Sequence, residues 1–309
     1  MALFASPWRA RVLAMCIVMG SVAAQAQTTP AQVSERNESG GSAAAAEAKQ
    51  DPALAARLPE AIRNSGTIIV GAQLQQPPED FYAADGRTPV GFEVDLAKAI
   101  GNTLGVKIDY RPMEFGALIT ALRSGRVNMT MSAMNDTKQR EQTVDFVDYY
   151  NAGITMLVQK GNPEKITGPD TLCGKSVSAQ PGTTQQAFAE DQGKKCQAAG
   201  KPTVTIVSGT ANADVALHTG RFAAILDDTP TALYDAQVAG NGAWFEPVDY
   251  PPINGGPYGI GVNKEDVQLR DVIRDAMQKL IDGGAYGKIL AAWGMSAGAV
   301  QKASVNGAP

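Results

Sequence analysis

The chain has 309 residues, a formal net charge of −4 and a hydrophobic content of 44%. A mildly acidic protein is not built to bind nucleic acid or an anionic membrane surface, so we expect neither partner. The sequence contains one histidine and three cysteines and no Cys/His cluster of the kind that holds a transition metal. It therefore predicts no metal site and no cofactor.

The N-terminal residues have the pattern of an export signal. Two arginines precede an apolar run over residues 12–19, and the small-residue triplet Ala24-Gln-Ala26 follows. This order predicts a secretory signal peptide over residues 1–26. The apolar run is shorter than the ~20 residues that a membrane-spanning helix needs, so we expect a soluble, periplasmic protein. Lipidation at Cys16 is the weaker alternative, because the bulky Met15 precedes that cysteine.

Residues 27–50 have a composition typical of a linker. They are rich in Ala, Gln, Ser, Gly and Glu and carry almost no bulky side chain. Such a segment cannot bury enough apolar surface to offset the entropy lost on ordering. We therefore predict a flexible tether there, followed by a region long enough for one large or two medium domains.

From residue 67 onward, strand-like and helix-like patterns alternate. Apolar or alternating runs predict strands at residues 67–71, 106–110 and 127–131. Apolar residues at helical spacing predict helices between them: Phe92, Leu96, Ile100 and Leu104 form one stripe, and Phe115, Leu118, Ile119 and Leu122 form the next. The order strand-helix-strand-helix-strand predicts an α/β sheet.

A second α/β unit follows the first. Strands are predicted at residues 154–158, 176–180, 203–207 and 222–226, with helices from about residue 184 and over residues 211–219. A boundary rich in Pro and Gly lies near Tyr250-Pro-Pro-Ile-Asn-Gly-Gly-Pro257. A strand at residues 258–262 and two amphipathic helices complete the chain.

Two cysteines, Cys173 and Cys196, lie outside the export signal. In an oxidising compartment such a pair predicts a disulfide, and the polar, turn-rich sequence between them can bring them together. Closing a loop of ~20 residues with a disulfide stabilises the folded state by roughly 3 kcal/mol in the chain-entropy model, because it lowers the entropy of the unfolded chain. Two free thiols or a shared metal ion are the alternatives.

The segment Gly91-Phe-Glu-Val-Asp-Leu-Ala-Lys-Ala-Ile100 resembles, position for position, the signature of the family-3 bacterial extracellular solute-binding proteins. The resemblance extends from about Thr67 to Met295. It includes Leu122-Arg-Ser-Gly-Arg-Val127, Gly182-Thr-Thr-Gln185 and Tyr258-Gly-Ile-Gly-Val-Asn-Lys264.

This resemblance implies a type II periplasmic binding protein, with two α/β lobes joined by two hinge strands and the ligand in the cleft between them. Lobe one would comprise residues 51–153 and 251–309, and lobe two residues 154–250.

The same resemblance implies that the protein captures an amino acid or similar small zwitterion and delivers it to the membrane permease of an ABC transporter. We expect a monomer without enzymatic activity. Two alternatives stay open: a periplasmic dehydratase-like enzyme on the same scaffold, and a sensor that presents the ligand-bound form to a receptor. The single His218 has no paired Ser motif, so a nucleophilic triad is not expected.

A free amino acid brings a carboxylate and an ammonium, and each needs a complementary charge once it leaves water. Arg140 lies where the family carries its α-carboxylate-binding arginine, and its planar fork can bind both oxygens. A surface arginine in the run Lys138-Gln-Arg-Glu141 is the alternative. Asp227 aligns with the acidic residue that holds the α-ammonium, at the end of an apolar strand. We expect its neighbour Asp228 to cap the next helix.

Gly182, Thr183 and Thr184 stand between a predicted strand and a predicted helix. Gly182 allows the backbone to approach a ligand closely, and the amides and hydroxyls of the two threonines at a helix N-terminus can receive an anion. An ordinary threonine cap of the helix is the alternative.

Ser132 and Asn135, with the backbone between them, fall where the resemblance places further hydrogen-bonding groups. Phe115 aligns with a position that covers the ligand side chain, and core packing is its alternative role. The family usually has an aromatic residue, Pro and Phe in the first loop, but this chain has Gln76 and Glu79 at those positions. The departure favours a polar or cationic ligand side chain over a stacking lid.

Overall fold

A computed structural model describes residues 30–208 and 212–309 of the chain, with side chains described from residue 37 onward. The predicted signal peptide over residues 1–26 lies outside these residues. The described part alternates helices and strands, which confirms the predicted α/β class.

The helices of the described residues are α1 (Pro30–Ala46), α2 (Pro52–Ala56), α3 (Glu60–Ser65), α4 (Phe92–Leu104), α5 (Leu118–Arg123), α6 (Lys138–Glu141), α7 (Thr184–Ala198), α8 (Ala213–His218), α9 (Thr229–Val238), α10 (Val267–Asp282) and α11 (Ala285–Trp293). Helix α4 covers the predicted stripe and ends at Gly105, whose φ of 69° is the left-handed conformation that glycine adopts without strain.

The strands of the same residues are β1 (Thr67–Ala72), β2 (Gln75–Gln76), β3 (Asp80–Tyr82), β4 (Pro89–Val90), β5 (Lys107–Pro112), β6 (Met129–Thr130), β7 (Val144–Gln159), β8 (Ser176–Ala179), β9 (Thr205–Ser208), β10 (Ala224–Asp228), β11 (Phe245–Pro247) and β12 (Ile253–Asn263). Among them, nine form one sheet in the order β5-β1-β6-β12-β7-β10-β8-β9, with β11 beside β7, and β2, β3 and β4 form a small separate sheet.

Two long strands run through the middle of the main sheet. Strands β7 and β12 pair antiparallel with each other, from Asn263 opposite Val144 to Ile253 opposite Ile154. At one end β12 also pairs with β6, and at the other β7 pairs with β10. Strands β5, β1 and β6 on one side, and β10, β8 and β9 on the other, are parallel groups. The long pair therefore connects two smaller α/β units.

The buried apolar residues follow the same division. One large cluster contains residues from α4, α10 and α11, and a smaller cluster contains residues from α5. Two other clusters contain residues from β8, β10, α7 and α9, together with the second half of β7. The lobe bounds, residues 51–153 with 251–309 and residues 154–250, remain a prediction, and "lobe one" and "lobe two" refer to these sets below.

The structure differs from the predicted tether. Residues 30–46 form helix α1, which packs on α11 and α4, and Ala44 and Ala45 are buried. The backbone of Gly41 lies so close to Asp95 and Trp293 that a Cβ atom at this position would be 2.2 Å and 2.3 Å from them. The lack of bulky side chains, which suggested disorder, instead allows the helix to approach the lobe closely.

The structure joins Cys173 and Cys196 by a disulfide, as predicted. Cys173 follows the short helical turn Pro169–Leu172, and Cys196 lies in the last turns of α7, so the bond fastens this helix to the loop before β8. Among the described helices, none is both long and apolar enough to cross a membrane.

Candidate functional site

The loops after β1 and β6 in lobe one meet the first turns of α7 and α9 in lobe two, and "the cleft" refers below to this junction. Hydrogen bonds cross it directly. Nε2 of Gln180 donates to Oε1 of Gln73 at 2.9 Å, and the hydroxyl of Thr184 donates to Oδ1 of Asn135 at 2.9 Å. Because each bond joins one lobe to the other, the structure has the lobes in contact around the cleft.

Arg140 lies on the short helix α6 and reaches across this cleft. Its Nη1 donates to the carbonyl of Asn135 at 2.7 Å, and its Nη2 donates to the carbonyl of Gly182 in lobe two at 3.0 Å. The guanidinium carbon also lies 5.5 Å from the centre of the Phe115 ring, a cation–π arrangement. The structure therefore directs Arg140 into the cleft.

Phe115 is 7% exposed and packs in the smaller lobe-one cluster with Leu118 and Leu122. Its ring also supports the guanidinium of Arg140. Phe115 thus packs in the core, as its alternative role predicts, and its contact with a ligand side chain stays a prediction.

The Gly182 segment divides its roles between capping and the cleft. Thr183 caps α7: its hydroxyl accepts from the amide of Gln186 at 3.2 Å and donates to the carbonyl of Gln180 at 2.6 Å. The cap alternative therefore holds for the Thr183 side chain. Gly182 has a φ of +79°, and its amide donates to Oε1 of Gln186. Thr184 alone directs its hydroxyl toward lobe one.

Asn135 connects the cleft to a hinge strand. It forms an isolated antiparallel bridge with Tyr258 of β12, while its side chain accepts the hydroxyl hydrogen of Thr184. Asn135 and Tyr258 are both buried. Asn135 thus links Arg140, helix α7 and strand β12 in one place.

The two adjacent aspartates of β10 differ from the expectation. Asp228 occupies the N-cap position of α9, but within the described part of the chain its side chain makes no capping hydrogen bond, so the predicted cap role is wrong. It is 4% exposed and interacts electrostatically with Arg140. Asp227 accepts from Nε2 of Gln76 at 3.2 Å and from the amide of Asp228 at 2.8 Å.

Ser132 and the amide after it are already used within lobe one. The Ser132 hydroxyl donates to Oδ2 of Asp80 at 2.8 Å and accepts from the amide of Gln73 at 2.9 Å. The Ala133 amide donates to both carboxylate oxygens of Glu93, at 2.9 Å and 3.2 Å. These bonds order the loops that surround the cleft, and the ligand role of Ser132 stays a prediction.

Gln76 and Glu79 of the first loop contact lobe two. Nε2 of Gln76 donates to Thr231 as well as to Asp227, at 3.2 Å in each case. The Thr231 hydroxyl donates to Oε2 of Glu79 at 3.0 Å, and Glu79 is completely buried. The polar residues that replace the family's aromatics therefore form hydrogen bonds between the lobes.

The cleft is strongly acidic. Burial raises the pKa of Asp80 and of Asp227 to about 7 in each case, and burial together with the charge of Asp227 raises that of Asp228 to about 8. Burial, and then the charge of Glu93, raises the pKa of Glu79 well above its ordinary value. Because low dielectric disfavours an isolated carboxylate, each of these groups would ionise more readily beside a bound cation.

Burial is also the main influence on Arg140, where it lowers the pKa of the guanidinium, while the charges of Asp228 and Asp136 oppose that change. Arginine stays protonated at any physiological pH, so the cleft keeps one fixed positive charge among its carboxylates. No group of three or more His, Cys, Asp and Glu side chains in the described ranges is arranged to hold a metal ion.

Several residues of the cleft were not identified from the sequence. Asp228 was assigned to a cap, and Thr231, Tyr258 and Glu93 were not proposed as site residues. Glu93 and Tyr258 lie inside the segments that carried the family resemblance, which was their available signal. Thr231 follows Pro230 in the first turn of α9 and carried no pattern of its own.

Comparisons with known proteins agree with this architecture. Residues 68–296 match the family described as bacterial extracellular solute-binding proteins, family 3. The chain belongs to this family. As a family-3 protein it is an extracellular solute-binding protein, and the predicted family, type II fold and solute-binding function are confirmed.

Individual relatives cover most of the chain. The arginine-binding protein ArgT of Corynebacterium glutamicum is 29% identical over 261 residues, which are 84% of each protein. A solved ancestral arginine-binding protein bound to arginine is 34% identical with a TM-score of 0.66, covering 74% of this chain and 98% of that one. An ancestral amino acid-binding protein, AncCDT-1, a precursor of cyclohexadienyl dehydratase, is 30% identical with a TM-score of 0.67, covering 76% and 98%.

Proposed function

We propose that this family-3 protein captures an L-amino acid with a polar or cationic side chain between its lobes. The observation that carries the proposal is the contact of Arg140, from lobe one, with the carbonyl of Gly182 in lobe two at 3.0 Å, with the buried Asp228 of lobe two near enough for its charge to act on the guanidinium. An α-carboxylate at Arg140 and an α-ammonium at Asp228 would each meet an opposite charge only when the lobes are together.

Two further groups support binding of the carboxylate beside Arg140. Arg140 presents a planar fork, and the hydroxyl of Thr184 and the side chain of Asn135 lie beside each other in the same part of the cleft. Charge-assisted hydrogen bonds contribute about 1.5–3 kcal/mol each. A few of them supply a large part of the roughly 8 kcal/mol that corresponds to micromolar affinity.

The charge balance of the cleft favours a cationic ligand. Among the described side chains that surround it, Arg140 faces several carboxylates, from Asp80 and Glu79 in the first loop to Asp227 and Asp228 in β10. Burial raises the pKa of each of these carboxyls, and a cation bound beside them would favour their ionised forms. The amides of Gln73, Gln76 and Gln180 provide polar contacts suited to a guanidinium or an amide. The relatives that bind arginine agree with this choice.

Isothermal titration calorimetry with L-arginine, L-lysine, L-glutamine and L-aspartate tests the proposal. We expect micromolar or tighter binding of L-arginine or L-lysine, and weak binding of L-aspartate. Arg140→Ala should weaken binding about a hundredfold, or ~2.7 kcal/mol, because the α-carboxylate loses its counter-charge. The control Arg126→Ala removes an exposed arginine and should leave affinity unchanged. Equal affinity of the Arg140 variant and the wild type would contradict the assignment.

We also propose that delivery is to the permease of an ABC transporter, from the periplasm, by a monomer. Delivery and sensing use the same closed form, so uptake of labelled ligand in the presence of the cognate permease distinguishes them. Stimulation of uptake is expected for transport and not for a sensor. Light scattering of the mature protein, with and without ligand, checks the monomeric state.

The enzymatic alternative centres on Glu79. Burial raises the pKa of its carboxyl, which favours the protonated form that a general acid needs, and one structural relative is a precursor of a dehydratase. We propose that the protein is not an enzyme, because Glu79 is engaged by Thr231 and forms part of the contact between lobes. Unchanged cyclohexadienyl substrate after prolonged incubation is the expected result. Dehydration that disappears in Glu79→Gln would contradict it.

A further inference from the structure

Glu79 is a buried carboxylate at a position where the family usually has phenylalanine. Its side chain is 0% exposed, and its Oε2 accepts a hydrogen bond from Thr231 of lobe two at 3.0 Å. Among the residues that the structure describes, no group donates to its second oxygen, Oε1. A buried polar atom without a partner is unfavourable, so this oxygen is expected to have a partner in the working state.

Two other buried polar atoms belong to the same surroundings. The side chains of Asp228 and Tyr258 interact with each other, and Gln185 also interacts with Asp228. Within the described part of the chain, however, neither Oδ1 of Asp228 nor the hydroxyl of Tyr258 has a partner in full hydrogen-bonding geometry. After burial, the charges of Asp228 and then of Glu79 are the largest causes that raise the pKa of Tyr258. The hydroxyl therefore lies near both carboxylates. The first loop, the end of β10 and hinge strand β12 each contribute one such atom.

The chemistry of these three atoms fits one kind of group. Two are carboxylate oxygens and the third is a phenol oxygen that can accept a hydrogen bond. An ammonium has three N–H donors and one positive charge, so a single ammonium can supply a donor to each of the three atoms. It would also compensate the two carboxylates, whose burial is unfavourable without a counter-charge.

The position of Tyr258 indicates which ammonium this is. Tyr258 bridges to Asn135, and Asn135 accepts from Arg140 through its carbonyl oxygen at 2.7 Å. The proposed carboxylate site and the three atoms are thus neighbours, as the α-carboxylate and α-ammonium of an amino acid are.

We propose that Glu79 binds the ligand's α-ammonium together with Asp228 and Tyr258, so that both lobes and the hinge contact it. This inference rests on the proposed function, since it requires an amino acid in the cleft. It assigns Glu79 to the α-ammonium and not to the ligand side chain. It also gives Thr231 a positioning role, because its hydroxyl holds the other oxygen of Glu79 only when the lobes meet.

Ligands that lack one charged group at a time test the assignment. Affinities of the wild type and Glu79→Gln are measured for L-arginine, for L-citrulline, which has a neutral side chain, and for 5-guanidinopentanoate, which lacks the α-ammonium. We expect Glu79→Gln to weaken L-arginine and L-citrulline about 10- to 100-fold and 5-guanidinopentanoate less than about twofold. Glu190→Gln, at an exposed carboxylate, is the control and should change none of the three.

The other outcomes overturn the inference in distinguishable ways. A loss for L-arginine and 5-guanidinopentanoate but not for L-citrulline would place Glu79 at the ligand side chain. An equal loss for all three would make Glu79 a residue of lobe closure only. Failure of the wild type to bind any of the amino acids would instead overturn the proposed function, and the ammonium site with it.

A second variant guards against a folding defect. Glu79→Phe introduces the residue that the family usually has at this position, and circular dichroism with thermal unfolding checks both variants for native structure. We expect Glu79→Phe to reproduce the ligand pattern of Glu79→Gln. Unchanged affinity of Glu79→Phe for L-arginine would overturn the ammonium assignment.

Discussion

Adjacent aspartates at the end of β10 provide a matched pair for testing the site. Asp228 is 4% exposed and interacts with Arg140, whereas Asp227 is bonded to Gln76 and to the amide of Asp228. The changes Asp228→Asn and Asp227→Asn remove the same charge from neighbouring positions and keep the side-chain size. Any general effect of lost negative charge should therefore appear in both variants.

The expected magnitude follows from the contacts. A buried, charge-assisted hydrogen bond to the ligand's ammonium contributes about 1.5–3 kcal/mol, so Asp228→Asn should weaken amino acid binding about 10- to 100-fold. Asp227→Asn keeps an oxygen that can accept from Gln76 and from the Asp228 amide, and we expect a change of less than about fivefold. The charge that Asp227→Asn removes is that of the residue before Asp228, and Asp228 is the residue proposed to contact the ammonium.

Calorimetry of both variants with L-arginine, after circular dichroism has confirmed native folding, measures the difference. The reasoning would be refuted if Asp227→Asn lost more affinity than Asp228→Asn. That result would assign the ligand's ammonium to Asp227, as the family resemblance implies.

Three further predictions concern pH, the disulfide and α1. Burial raises the pKa of Asp228 to about 8, and a bound ammonium favours its ionised form, so affinity should increase with pH by up to about tenfold per unit until about pH 8. Calorimetry from pH 6 to 8 checks this, and a constant Kd would contradict it. Thiol labelling of the unreduced, denatured mature protein should find neither Cys173 nor Cys196 free, and a labelled thiol at either would refute the bridge. Gly41→Leu should lower the Tm by displacing α1 without changing the Kd. The control Ala43→Leu, at an exposed position of the same helix, should leave both the Tm and the Kd unchanged. An equal Tm in the two variants would show that α1 packing contributes little to the stability of the fold.

Much of the fold could be predicted because its signals are local. The apolar stripe of α4 and the glycine that ends it define a helix whatever surrounds it, and the disulfide follows from two cysteines in an exported chain. Helix α1 could not be predicted in this way. Its stability comes from close contact with α11 and α4, and that contact depends on small residues which, without the partner surface, also suit a disordered linker.

The site shows the same division at the scale of single residues. The family motif predicted Arg140, and the structure directs it into the cleft. The choice between Asp227 and Asp228 depends on strand register, because successive side chains of a strand point to opposite faces. In β10, Asp227 pairs with Thr155 of β7, and Asp228 pairs with Ile154. This register depends on a second strand, so it cannot be predicted from the sequence of β10 alone. The hydrogen bond from Thr231 to Glu79 joins residues 152 positions apart and carried no sequence signal.

A crystal structure of the mature protein with L-arginine tests the central claim most directly. The account predicts closed lobes, with the α-carboxylate on Arg140 and Thr184 and the α-ammonium within hydrogen-bonding distance of Asp228 and Glu79. A ligand bound outside the cleft, or bound in it with the carboxylate away from Arg140, would contradict the account.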